Sequence, residues 1–547
     1  MKDNYQMIIK EIKQPQDYII DVYNRIEKVY KVSFLMVILT GIMAHGYMFF
    51  NKISFHDDVA SLFGVGATIK SGRWALEGAF LINCIFLNVN SSMPVINGII
   101  SLIFIAGSAC IIIKLFDIKS CFYAGMMGGV MAAFPVVAST FMFMFTAPYY
   151  FCALFFAIMG TYLIVKKGYY LRGAFLLCLV LSLYQPYITV SFTLFILHFI
   201  FERLKDVPVK ENLRGIIGYC LSLIIGILLW GGMNIVWKIF YHIPLAREGR
   251  MADVAGITIK QISSGILLVY QNFFSLFYKD YQGLSNGHGI HVIYTVLFLI
   301  IIFKIIFTLC FFDISRLNKI LYFFTLLLLP LAIGFMGILS TIDGIDVHTL
   351  TLYSYVFIFV GSIISVDAFR KYCFAKKVEI GTFSVGLEKV LLFYQWISFF
   401  IIMWSLIYYI RLDNMAYLKV DFTQRQVDSY FTTLVTQIKS TKGYRDDMKV
   451  AVIKPEDYFY DLNDKSMYSK NWYEKVTIYG ADWDMSEWIT DAHWKFYMEY
   501  HCGFAPEYID DTMDIEEMRE VKAMPCYPDD GAVQIINDIV VVNFSDN

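Results

Sequence analysis

The chain has 547 residues, 58% of them hydrophobic and only 17% charged, which excludes a protein built solely of soluble domains and calls for one large membrane domain with a smaller polar part. The net charge of −2 hides an asymmetry: 14 basic and 26 acidic residues lie from Arg411 onward, against 31 and 21 before it. So acidic a soluble part argues against nucleic-acid binding, and a basic membrane part suits Lys and Arg gathered on the cytoplasmic side.

In chain order, residues 1–32 form the first segment. Ile19, Val22, Tyr23, Ile26, Val29 and Tyr30 recur at helical spacing, which predicts an amphipathic helix on the cytoplasmic surface. The first apolar run, 33–50, is long enough to span and too long for a cleavable signal peptide. His45 inside it reads as a packed polar residue. Further runs at about 95–113, 121–141, 148–165, 173–184, 187–201, 215–238, 290–310, 320–340, 350–366 and 390–410 bring the expected number of spans to about eleven. Tyr184-Gln185-Pro186 divides one apolar stretch into two short ones.

Lys and Arg fill alternate loops, whereas the loops around Thr146-Ala147-Pro148, Tyr184-Gln185-Pro186 and Thr341 to Thr349 carry none. The amino terminus is therefore expected inside, and with an odd number of spans the acidic tail falls outside. This gives three parts: a cytoplasmic segment 1–32, a multi-span membrane domain 33–410, and an extracytoplasmic domain 411–547. In the tail, Val427, Phe431, Leu434 and Ile438 mark one helix face. Strand-like runs follow at Lys449–Ile453, Val476–Tyr479 and Val533–Phe544, the last with an Asn537-Asp538 turn, so the tail reads as α+β. Cys502 and Cys526 either pair there or remain free thiols.

His56-Asp57-Asp58 stands just beyond the first span. One Asp suits a helix N-cap, which leaves its neighbour available as a general base for an attacking hydroxyl, or as a ligand for a divalent metal (Mg or Mn). Lys70 and Arg73, in Lys70-Ser71-Gly72-Arg73-Trp74, are candidates for a donor phosphate, since Arg suits bidentate phosphate contact. The plainer alternative is headgroup contact at the interface. Arg247 and Arg250, in the long loop 241–289, form a second candidate pair. Tyr149, Tyr150, Tyr184 and Gln185 lie at expected outer ends of spans and are candidates for binding a sugar or acceptor, although aromatic belts also place tyrosines there. Asp343, Asp346 and His348 are a weak metal signal. No Walker A, Gly-x-Gly-x-x-Gly or Cys-x-x-Cys motif is present.

Phe55-His56-Asp57-Asp58, Ser71-Gly72-Arg73-Trp74, Phe145-Thr146-Ala147-Pro148-Tyr149-Tyr150 and Ser182-Leu183-Tyr184-Gln185 together resemble the pattern of the bacterial type II glucosyltransferases, the serotype-converting O-antigen enzymes among them. The resemblance covers about residues 35–410. It implies a GT-C membrane fold and a polyprenyl-phosphate-glucose donor made and flipped by separate proteins. A cell-surface glycan or wall polymer would be the acceptor, on the outer face, with Asp57 or Asp58 as the catalytic carboxylate. Two other classes compete. A polysaccharide polymerase or ligase would share the many spans. A lipid-linked sugar transporter or flippase would place its ionisable residues near mid-span, and here they collect at loop ends.

Overall fold

The computed structural model describes residues 14–53, 56–60, 68–87, 92–244, 258–285, 288–311, 314–343, 347–376, 384–453, 476–482 and 493–545. The apolar runs are mainly helical. In order come α1 (Pro15–Arg25), α2 (Lys28–Phe50), α3 (His56–Ala60), α4 (Trp74–Leu87), α5 (Pro94–Phe116), α6 (Cys121–Ala133), α7 (Pro135–Phe141) and α8 (Ala147–Lys167). There follow α9 (Tyr170–Leu183), α10 (Ile188–Leu204), α11 (Val209–Phe240), α12 (Ile259–Ser275), α13 (His288–Phe311), α14 (Arg316–Ile333), α15 (Met336–Asp343), α16 (Phe357–Lys376) and α17 (Ser384–Ser440). Among the described residues, eight helices are long and apolar enough to cross a membrane, or nine if the bent pair α6–α7 is one span. The helix 170–183 and the segment 353–367 are apolar but shorter. The chain is a multi-pass membrane protein.

Helix α1 packs none of its residues into the protein: Tyr18, Ile19, Val22 and Tyr23 all stay exposed. The bundle behind it is close-packed. A Cβ on Gly128 of α6 would lie 2.7 Å from the Ser33 carbonyl of α2, so only glycine lets these two helices approach so near.

The α6–α7 break has a local cause. Pro135 has no N–H and forces Phe134 into extended backbone, ψ 134°, bending the pair by 42°. Carbonyls freed inside an apolar bundle must find donors. Met131 O accepts from the Tyr353 hydroxyl at 2.9 Å, and Ala132 O from His45 Nε2 at 2.8 Å. With Nε2 donating, His45 Nδ1 accepts from the Tyr417 hydroxyl at 2.8 Å, so the ring is a packed polar residue as expected.

Helix α17 runs 57 residues without interruption, about 85 Å at 1.5 Å per residue. The expected boundary at 410/411 lies within it. Beyond the apolar portion, Val427, Phe431, Leu434 and Ile438 are all buried, forming the face read from the sequence. The C-terminal part packs on that face: β1 (Lys449–Ile453), α18 (His493–Cys502), two single-turn helices, and β2 (Val533–Ile536) with β3 (Ile539–Asn543). The sheet order is β1-β3-β2, parallel for the first pair and antiparallel for the hairpin. Asn537 and Asp538 both have positive φ, as a tight two-residue hairpin turn requires.

One expected strand is absent. Val476–Tyr479 is a turn, because its backbone is held by side chains of the membrane bundle instead of by a neighbouring strand. Cys502 and Cys526 are free thiols.

Candidate active site

The short helix α3 begins at His56, so Asp57 and Asp58 lie in its first turn instead of capping it. Their environments differ sharply. Asp58 is only 1% exposed and accepts three hydrogen bonds: Lys52 Nζ at 2.8 Å, Ser92 Oγ at 2.8 Å and the Phe145 amide at 3.2 Å. Asp57 is only half-buried. The two adjacent acids are thus a sealed anchor and a more accessible carboxylate.

Arg73 follows a tight turn. The Gly72 amide donates to Ile69 O at 3.0 Å and the Arg73 amide to Thr68 O at 2.8 Å. Gly72 has φ +73°, and a Cβ there would sit 2.9 Å from the Trp230 ring. Both constraints select glycine. Trp230 Nε1 donates to Gly72 O at 2.9 Å, and Gln185 Nε2 donates to Ser71 O at 2.8 Å, so two distant side chains fix the turn.

The guanidinium is then held from several sides. Its Nε donates to Gln185 Oε1 at 3.2 Å and its Nη1 to the Tyr150 hydroxyl at 2.8 Å. It lies 5.3 Å from the Tyr184 ring centre and 5.7 Å from that of Tyr150, and these two rings stack at 3.9 Å. Such contacts favour a fixed cation with further N–H groups left to donate. Tyr149 accepts from Asn83 of α4, and Lys70 is exposed on the turn.

Acid and cation meet through the start of α8. Phe145, whose amide holds Asp58, and Tyr150, whose hydroxyl holds Arg73, are five residues apart. Thr146 O accepts the amides of both Tyr149 and Tyr150, making this stretch one rigid unit.

A profile of the glucosyl transferase GtrII family matches residues 46–360, more than half of the chain. The chain belongs to the GtrII family. It is accordingly a glycosyltransferase that moves a glucosyl group. No curated protein and no solved structure gives a match.

The GtrII match takes in Asp57, Asp58, Arg73, Tyr150 and Gln185 and ends before α17 and the C-terminal part. That part nevertheless reaches the same place. Helix α18 packs against α3. Tyr497 donates its hydroxyl to Asp428 Oδ1 at 2.5 Å, and His501 stacks on Tyr497 at 4.1 Å with its Nδ1 3.7 Å from Asp428. Burial, helped by Lys52, holds His501 below its usual range against the opposite pull of Asp428. Burial and the Asp428 carboxylate push the Tyr497 hydroxyl far up.

Other expected residues separate into those the structure gathers and those it does not describe. Tyr184 donates its hydroxyl to Leu350 O at 3.3 Å. His348, named from the sequence as a metal candidate, stacks on Tyr479 at 4.1 Å. Arg247, Arg250, Asp346 and the side chain of Asp343 lie outside the described residues. Among the described residues, no three His, Cys, Asp or Glu side chains come together to hold a metal. Ser92, Asn83, Trp230 and Tyr479 were not singled out from the sequence, because each acts across tens to hundreds of positions.

Proposed function

We propose that this GtrII family member transfers glucose from a polyprenyl-phosphate-linked donor to a cell-surface glycan or wall polymer, with inversion, at the outer face of the bacterial plasma membrane. Eleven spans, a cytoplasmic amino terminus and an extracytoplasmic C-terminal domain go with this reading. The observation that carries it is the shared mounting of Asp58 and Arg73 on the start of α8, which brings a carboxylate pair and a caged guanidinium to one end of the bundle.

Asp57 is the general base. It takes the proton of the acceptor hydroxyl as that oxygen bonds to the anomeric carbon and the carbon–phosphate-oxygen bond breaks on the opposite side. Arg73 meets the charge that accumulates on the leaving phosphate. Asp58, sealed and thrice hydrogen-bonded, positions α3 through Lys52, Ser92 and Phe145. Tyr150, Tyr184 and Gln185 hold the cation, and Lys70 at the exposed turn meets the phosphate or the lipid surface.

Asp57→Asn should cut turnover by about 10²–10⁴-fold with thermal stability unchanged. Asp58→Asn should lower stability as well, because an amide cannot accept from all three donors. Transfer assays and thermal unfolding of the purified variants check both, and wild-type turnover in Asp57→Asn would refute the assignment. Surface-glycan composition in a deletion strain, compared with its complemented parent, tests the proposed transfer in the cell.

A further inference from the structure

The C-terminal part inserts one turn into the end of the membrane bundle where Asp58 and Arg73 lie. Residues 476–482 are pinned there from both sides. Lys419 of α17 is buried and donates to Val476 O and Asp482 O, each at 3.3 Å. Thr477 Oγ1 donates to Asp280 Oδ2 at 2.7 Å, and the Ala481 and Asp482 amides close the turn on Ile478 O.

Tyr479 stands at the tip. Its amide donates to Thr349 Oγ1 at 3.0 Å, and its carbonyl accepts from Ser139 Oγ at 2.8 Å. Its ring lies between His348, at 4.1 Å and 23°, and Phe143, at 6.0 Å and 17°. Thr349, which accepts from its amide, directly precedes Leu350, whose carbonyl accepts from the Tyr184 hydroxyl at 3.3 Å. Tyr184 is the ring that stacks on Tyr150 beside Arg73. Phe143 lies two residues before the amide that holds Asp58.

Docking alone does not require a phenol here. Val476 and Ile478, 1% and 0% exposed, already supply the apolar anchorage. Tyr479 stays half-buried at the tip of the turn, its ring between His348 and Phe143.

We infer that Tyr479, a residue beyond the GtrII match, completes the donor site from the C-terminal part by hydrogen-bonding the hexosyl group of the lipid-linked sugar. The inference rests on the proposed donor reading. Arg73 then takes the phosphate and Tyr479 the sugar, so this turn makes recognition of the sugar depend on a part of the chain that the family match does not cover.

The test compares binding of a short-chain prenyl-phosphate-glucose with that of the bare prenyl phosphate by the full-length protein in nanodiscs. Tyr479→Phe keeps the stack on His348 and removes only the hydroxyl. It should weaken binding of the sugar-bearing lipid by about fivefold, as expected for losing one hydrogen bond of about 1 kcal/mol, and leave the bare phosphate unaffected. Tyr479→Leu, which also removes the ring, should show the same selective loss. Equal weakening of both lipids, or no weakening of either, would overturn the inference. Arg73→Gln serves as the separate check on the donor reading and should weaken both lipids. If it weakens neither, the donor reading itself fails, whatever Tyr479 does.

Discussion

Arg73 is bound by its shape as much as by its charge. Its Nε and Nη1 reach Gln185 and Tyr150 together while its flat face lies near two stacked rings. A lysine would keep the charge and lose this fork, so Arg73→Lys should raise the donor KM by about tenfold to a hundredfold, as measured in a transfer assay, with expression unchanged. The motif Ser71-Gly72-Arg73 and the acid pair stand out in the sequence because glycine and charge fall there in a few adjacent residues. What immobilises them was not visible. Trp230 and Ser92 resemble any other span tryptophan or loop serine until the fold brings their donor groups to Gly72 O and Asp58. The unequal environments of Asp57 and Asp58 were equally hidden, since burial separates two residues that the sequence presents as equivalent.

At the level of elements, apolar length carries through in part: the expected runs are mainly helical, though eight or nine helices among the described residues reach spanning length, and the Tyr184-Gln185-Pro186 break is a single 3-10 turn between α9 and α10. The kink at Pro135 was missed because residues 121–141 are apolar on both sides of it. Its stability now depends on borrowed donors. Tyr353→Phe should leave Met131 O unpaired in the bundle and cost about 1–3 kcal/mol, seen as a lowered melting temperature in detergent. The failed strand at Val476–Tyr479 has the converse lesson. Alternating Val476 and Ile478 gave a two-residue period, but the period records which side chains are buried and not what accepts the backbone hydrogen bonds. Helix α17 passed its expected boundary for a related reason: composition changes near Arg411 with the surroundings of the helix, while the backbone pattern simply continues.

Across the whole molecule, the junction between the C-terminal part and the membrane bundle should be sensitive to acid. His501 is held below its usual range, so the folded protein takes up a proton there less readily than the unfolded chain does. Stability from this packing is therefore complete above about pH 6.5 and falls as the pH drops through that value and below. Thermal unfolding between pH 7.5 and 5 should show this decline, and His501→Gln should flatten it. The attachments of the C-terminal part at α17, at α3 and at the turn of Tyr479 have a consequence for traffic. A lobe held at separated points is braced against swinging aside like a hinged cover; on the donor proposed above, a prenyl tail would then slip in sideways from the bilayer while the glycan arrives through solvent. Two entrances of opposite polarity would let the enzyme be charged with one substrate while the other is still bound.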